Sequence, residues 1–271
     1  MSTTLATLSG LQDKIIADST ALFRLRSDLF NAVYTQSAGS ASVVQFMSSG
    51  VPGAATKQAV ENTDVTPTVV TISDVPAQLE TYPILVRSSK ISIAAPNAEL
   101  KIAEQLAGGI ARTVDTIIAQ LFNGFSNAVG DNATDVNIDS FFTAVAKLDE
   151  SGYVGDKVAV LHPMTWKKIG KDILGLSGAG NKANEYLTRG YIANVGGVDI
   201  YVSPWVDASG QYTNGVYFKE ALGLGYREPV IDIESMPNLE KVAVDFLATA
   251  FLKAVELTDA AGVKLIDKLV V

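Results

Sequence analysis

The sequence predicts an α+β protein, in which helices and strands alternate loosely and unequally instead of repeating as βαβ units. Three observations lead there. A long amphipathic helix occupies Asn97 to Asn123, a β-branched, proline-punctuated stretch precedes it, and short apolar strand-like runs recur after it. The chain has 271 residues, enough for one large domain or two modest ones, and no internal repeat.

Ser9 to Val33 reads as an amphipathic helix, because Leu11, Ile15, Leu22, Leu25 and Leu29 recur at helical spacing with only Asp18 interrupting the stripe. Ser9 and Gln12 fit a capping box at its start. From Thr35 to Ala95 the composition turns to Ser, Thr, Gly, Val and Pro, with strand candidates at Val43 to Phe46, Thr68 to Ile72, Tyr82 to Val86 and Lys90 to Ile93. So little leucine does not make an independent core, and an extended hairpin that needs a neighbour is expected, with a disordered linker as the alternative.

The central helix carries Leu100, Ala103, Ala107, Ile110, Val114, Ile117 and Leu121 at spacings of three and four, while Lys101, Gln105, Arg112, Asp115 and Gln120 lie off that stripe. Leu100, Ala107, Ile110, Val114, Ile117 and Leu121 are therefore the expected core of a spine about 40 Å long. Gly108 and Gly109 cost it about 1–2 kcal/mol in propensity, which implies a close neighbour or a bend.

A second helix is expected over Ser140 to Glu150, ended by Ser151 and Gly152. Val158 to Leu161 reads as a strand buried on both faces, and Pro163 opens a helix to about Ile173 with Trp166, Ile169 and Ile173 on one side. Leu174 to Asn181 is a Gly/Ser loop, and Val198 to Val202, Gly215 to Phe218 and Val230 to Glu234 are strands. Lys241 to Leu257 is apolar on both parities, so period alone leaves strand and helix open.

Composition narrows the chemistry. No cysteine means no thiol nucleophile, disulfide or thiolate metal site, and the single histidine, His162, excludes multi-histidine metal sites. Twenty-one basic against 29 acidic residues leave a net charge of −8, the opposite of a basic nucleic-acid footprint. The start lacks the pattern of a signal peptide, and no apolar run reaches membrane-spanning length.

The run from Gly175 to Lys182 has the glycines of a phosphate loop, yet Asn181 displaces the lysine and the run follows a helix, so a flexible loop is the better reading. Gly223 and Gly225 lack a third glycine and a following helix, and are read as a strand-associated turn. Asp131, Asp135 and Asp139 lack the spacing of a calcium loop and suit a solvated linker. His162 has no recognisable nucleophile or orienting carboxylate, and its place before Pro163 suits capping or packing. No catalytic, cofactor-binding or metal residue is expected. Only 18% of residues are charged and mean hydropathy is +0.23, so part of the surface is expected to be covered by other copies of the chain.

Four stretches, in this order, resemble the major capsid proteins of tailed bacteriophages, whose Hong Kong 97-like shell fold is shared with encapsulins. They are TVVTISDVPAQLETYPILVRSSK (Thr68 to Lys90) leading to LKIAEQLAGGIARTVDTIIAQLF (Leu100 to Phe122), VAVLHPMTWKKI (Val158 to Ile169), GYIANVGGVDIYVSPWV (Gly190 to Val206) and ALGLGYREPVIDIES (Ala221 to Ser235). The second stretch is similar to the strand, His-Pro and helix of the family's axial domain.

The resemblance implies an N-terminal arm (1–37), an extended loop with peripheral strands (38–95), the spine helix and a linker (96–137), an axial domain (138–226) and C-terminal peripheral strands (227–271). On this mapping Lys241 to Leu257 is mostly one long strand. The residues expected at subunit interfaces are Val51, Pro52, Gly53 and Lys57 on the extended loop and Gly178 and Gly180 on an axial loop. The implied function is a structural protein of hexamers and pentamers in an icosahedral virion shell around double-stranded DNA, assembled in the host cytoplasm. Its implied partners are itself, a separate scaffolding protein, a portal and, in some shells, a decoration protein, with no membrane. The alternatives are an encapsulin-type nanocompartment and a soluble α/β enzyme using His162.

Overall fold

The computed structural model describes residues 14–23, 27–51, 72–89, 93, 98–175, 194–238 and 243–269. Its centre is helix α2 (Ala98–Leu121), which follows helix α1 (residues 14–23) in the chain and ends in a short 3-10 turn, Phe122–Gly124. Ala103, Leu106, Ala107, Ile110, Ala111, Val114, Ile118 and Ala119 are buried, and Ile117 and Leu121 are half-buried against the same core. The buried band is wider than the sequence stripe. Leu100, expected in the core, is 42% exposed because it stands on the edge of this band in the first turn of the helix. Asp115, expected off the stripe, is buried.

The helix lies on a five-stranded sheet of β1 (Tyr34–Ser37), β4 (Glu80–Ser89), β10 (Leu222–Tyr226), β11 (Asp232–Asn238) and β12 (Ala243–Glu256). Strand β12 pairs antiparallel with β4 over residues 243–252 and, on the opposite edge, with β11 over 243–249 and β10 over 252–256, and β1 pairs parallel with β10. In β4 the alternation turns Tyr82, Ile84 and Val86 toward the helix, while Pro83, Leu85 and Arg87 face outward. A Cβ on Gly109 would lie 2.2 Å from Ile84 Cδ1, so this glycine lets helix and strand approach closely.

Strands β2 (Val43–Ser49) and β3 (Ile72–Gln78) form an antiparallel hairpin with one buried face, Val44, Phe46 and Ala77. The neighbour it needs is, at its base, its own chain: Phe46 and Val44 sit on Gly223 and Gly225, beside Val255 and Leu257. Gly223 and Gly225 are thus not a turn but the middle of β10, where side chains would collide with the hairpin. The expected strand Thr68 to Ile72 lies outside the described residues except Ile72, which opens β3, and Lys90 to Ile93 except Ile93, which is helical and not extended.

The second sheet runs β5 (Asn127–Val129), β13 (Gly262–Lys268), β9 (Gln211–Phe218), β6 (Lys157–Leu161), β8 (Val198–Val202), β7 (Asn194–Val195), with β5/β13 and β6/β8 parallel and the rest antiparallel. Helices α3 (Ile138–Glu150) and α4 (Pro163–Gly175) belong to this body. Helix α3 starts two residues earlier than Ser140 because Asn137 caps it, its side chain accepting from the Ser140 amide at 2.8 Å, and it ends before Gly152, which has φ +75°. Phe122, Phe125 and Tyr217 pack together where α2 meets this sheet, against Gly215 and Gly262.

The N-terminal helix is shorter than expected. Residues 27–33 form turns, held by Ser27 and Leu29 on the spine. Strands β1, β5 and β13 carry no distinct sequence signal and were not expected, β9 starts at Gln211 and not Gly215, and β11 starts at Asp232 and not Val230.

Candidate assembly surfaces

Among the described residues, exposed apolar side chains gather in two places, while others, such as Val154 and Phe142, stand apart from both. On the outward face of the hairpin Met47 is 77% and Ile72 63% exposed, with Val43, Gln45, Asp74 and Pro76 beside them in register. A shallow concavity of about 350 Å3 opens beside this face, lined by Tyr34, Gln36, Gln45, Met47, Glu220 and Leu257. The second place is the outer face of the five-stranded sheet, away from the spine, where Leu85 is 55% and Met236 51% exposed. Leu85 pairs with Leu247 and Met236 with Asp245, and Asp245 accepts from both Arg87 Nε (2.6 Å) and Arg87 Nη2 (2.8 Å). The part of this outer face over β10 is covered by the chain's own hairpin.

Of the expected interface residues, Val51 is exposed and rests against Gly152 at the end of α3. Pro52, Gly53, Lys57, Gly178 and Gly180 lie outside the described residues. Met47, Ile72, Leu85 and Met236 are exposed apolar residues outside that expected set. The signal for Leu85 was available, since in the run from Tyr82 to Val86 it is an apolar residue on the parity opposite to Tyr82, Ile84 and Val86.

The chemistry of the interior is structural. His162 precedes α4, its Nδ1 accepts from the Met164 amide (3.2 Å), and its ring stacks on Tyr212 at 4.0 Å. Burial pushes its pKa down and the charge of Asp267 partly opposes this. The imidazole caps the helix with the nitrogen that a general base would need. Asp135 is not merely a solvated linker residue, because it pairs with Lys168 at 2.7 Å. Lys168 also binds buried Asp267 at 2.8 Å, and Asp267 accepts from Thr165 Oγ1 (2.6 Å) and the Val136 amide (2.9 Å). Asn214 joins this network, accepting from the His162 amide and donating to Thr165 and the Leu265 carbonyl. All of these groups are engaged in holding α4, β9, β13 and residues 131–136 together. Among the described residues no cluster of three or more His, Cys, Asp or Glu is arranged for a metal, and no helix is long and apolar enough to cross a membrane.

Among curated protein sequences none matches this chain. The fold is similar to that of several solved particles. The capsid of a native GTA particle is 13% identical, covers 90% of each chain and superposes with a TM-score of 0.66. The capsid of Ralstonia phage GP4 is 9% identical, covers 89% of this chain and 88% of that one, with a TM-score of 0.66. A virus-like particle from Pyrococcus furiosus is 9% identical and covers 93% of this chain and 98% of that one, with a TM-score of 0.65. A sequence profile for the family described as phage capsid protein matches residues 75–263, well over half of the chain. The chain belongs to the phage capsid protein family and is a structural, non-enzymatic subunit that self-assembles into a capsid shell.

Proposed function

We propose that this subunit forms the hexamers and pentamers of an icosahedral phage shell that encloses double-stranded DNA without gripping it. The observation that carries the reading is the hairpin of β2 and β3: its base is fixed on β10, while its outward face carries Met47 and Ile72 in solvent. Such a face favours burial against another copy. The net charge of −8 supports enclosure over binding, since a wall that bound DNA along its length would need cations. In this reading residues 1–37 are the arm, 38–95 the extended loop and its strands, 96–137 and 227–271 the peripheral body, and 138–226 the axial body, with two exchanges across these bounds: β10 pairs in the spine's sheet and β13 in the second sheet. Val51, Pro52, Gly53 and Lys57 then meet the neighbouring subunit, and Gly178 and Gly180 meet at the symmetry axes. A scaffolding protein and a portal assist assembly in the host cytoplasm, and a decoration protein joins the finished shell in some particles.

Electron microscopy of the expressed chain, with scaffold supplied where required, tests this directly. Closed shells or capsomers are expected, and a stable monomer under all conditions overturns it. Deleting Val51 to Gly53 is expected to leave the melting temperature within 2–3 °C of wild type, about 1 kcal/mol for a chain of this size, while particle yield falls at least tenfold. Particles at wild-type yield remove the loop from the subunit contact. The near-complete overlap with the virus-like particle of Pyrococcus furiosus supports a second reading, a compartment that holds protein cargo. Particle contents separate the two: nucleic acid favours the virion and a co-purifying enzyme the compartment.

A further inference from the structure

The N-terminal segment is seated on the spine by a carboxylate. Asp115, in the second half of α2, is 2% exposed, and its Oδ1 accepts from Ser27 Oγ at 2.8 Å and from the Leu29 amide at 3.1 Å. Ser27 Oγ in turn accepts from the Phe30 amide at 3.2 Å, so one turn of chain closes around a side chain from a helix more than 80 residues away in sequence. Leu29, Ala32 and Val33 are buried beside it, and Phe30 packs its ring on Tyr226 of β10 at 5.6 Å.

The surroundings set the charge of this group. No described cation faces it: Arg112, one turn earlier, lies over the Trp205 ring at 4.0 Å, and Lys14 of α1 pairs with Glu99 at 2.7 Å. Strands β12 and β4 present Phe246, Ala248, Ala250, Ile84 and Val86 to the helix, and the Tyr82 hydroxyl is spent on Glu80. The charge it does feel is Asp28, of its own sign. Arg24 and Arg26 lie outside the described residues, and their charge is constant across the acid range.

We propose that Asp115 is a proton-operated latch, which holds residues 27–33 on the spine more tightly when protonated than when charged. Burial, chiefly, and the Asp28 charge raise its pKa from 3.8 to about 6, against the opposing pull of the Ser27 and backbone hydrogen bonds. A carboxyl whose pKa is raised in the seated state binds more protons there than in the released state. Seating is therefore strongest below about pH 4, weakens as the pH rises from 4 to 6, and is weakest above 6. This is the reverse of a salt-bridged aspartate, whose contribution is lost in acid.

Hydrogen–deuterium exchange of the full-length chain, corrected for the intrinsic pH dependence of exchange, reads the latch at residues 27–33. Between pH 7.5 and 4.5 protection of the Leu29 region is expected to rise roughly 25-fold in wild type. Asp115→Asn, which keeps an acceptor and loses the charge, is expected to remove most of the rise, leaving the smaller part that belongs to Asp28, whose own carboxyl burial also pushes up. Asp28→Asn, at an exposed site, is expected to keep the rise and move its midpoint to lower pH; this variant decides the matter if Asp115→Asn does not fold. Protection independent of pH in wild type, an unchanged rise in Asp115→Asn, or a midpoint unmoved by Asp28→Asn each overturn the latch.

Discussion

Replacing Ile110 by aspartate is expected to leave no folded subunit. Ile110 is 1% exposed in the middle of α2, within the one large apolar cluster that both sheets share. The substitution removes about 1.5–3 kcal/mol of side-chain burial and sets a carboxylate among groups that cannot pair with it, at a further cost of several kcal/mol. Together these approach the 5–15 kcal/mol that holds a typical native protein. Soluble yield and a cooperative melt by circular dichroism measure it, and soluble shells in normal quantity would show that the spine is misplaced. Leu100→Asp, on the same helix but at an exposed site near its N-terminus, is the control, with an expected change within about 0.5 kcal/mol.

Asp267→Ala is expected to destabilise the second sheet by about 3–5 kcal/mol, lowering the melting temperature by roughly 10 °C. The cost lies in what is left behind: Thr165, the Val136 amide and Lys168 each lose an acceptor, and all three are buried or part-buried. Although burial alone would lower the Lys168 pKa, hydrogen bonds to Asp135 and Asp267 hold it above the ordinary value. Its contribution is therefore complete below pH 10.5 and is lost as the pH rises through that raised value. Asp267→Asn keeps the shape and some acceptors and is expected to lose less. A melting temperature unchanged in Asp267→Ala would show that residues 131–136 and α4 are held by packing alone.

The spine, α3 and α4 were legible because each concentrates its apolar residues at a single period over a long enough run, and β6 because its continuous apolar run is too short for a helix and stops at His162 and Pro163. Strand β12 was not, because both of its faces touch protein: Phe246, Ala248, Ala250 and Leu252 face the helix, while Val255 lies under the hairpin and Leu247 beside Leu85. Alternation disappears when both sides are apolar. Leu100 failed for another reason, since a helical stripe of spacing three and four does not reveal which of its rows is central. Asp115 was illegible because its donors come from residues 27–29, and nothing local to the helix announces them. The apolar hairpin face was missed because Met47 and Ile72 flank the long segment 52–71 in sequence and only strand pairing places them near each other on one face.

Strand β12 has a mechanical meaning. Residues 243–249 are bonded on both edges at once, to β4 and β11, and the strand's last residues bond to β10. A pull along its axis loads all of these rows in parallel, so they yield together and not bond by bond. A pull across the sheet, at the β1 or β4 margin, opens one row at a time and meets far less resistance. The subunit is therefore stiff along one direction and compliant across it, and tension applied along β12 is carried from the β10 end, where the hairpin is anchored, to the β11 end without first unravelling either.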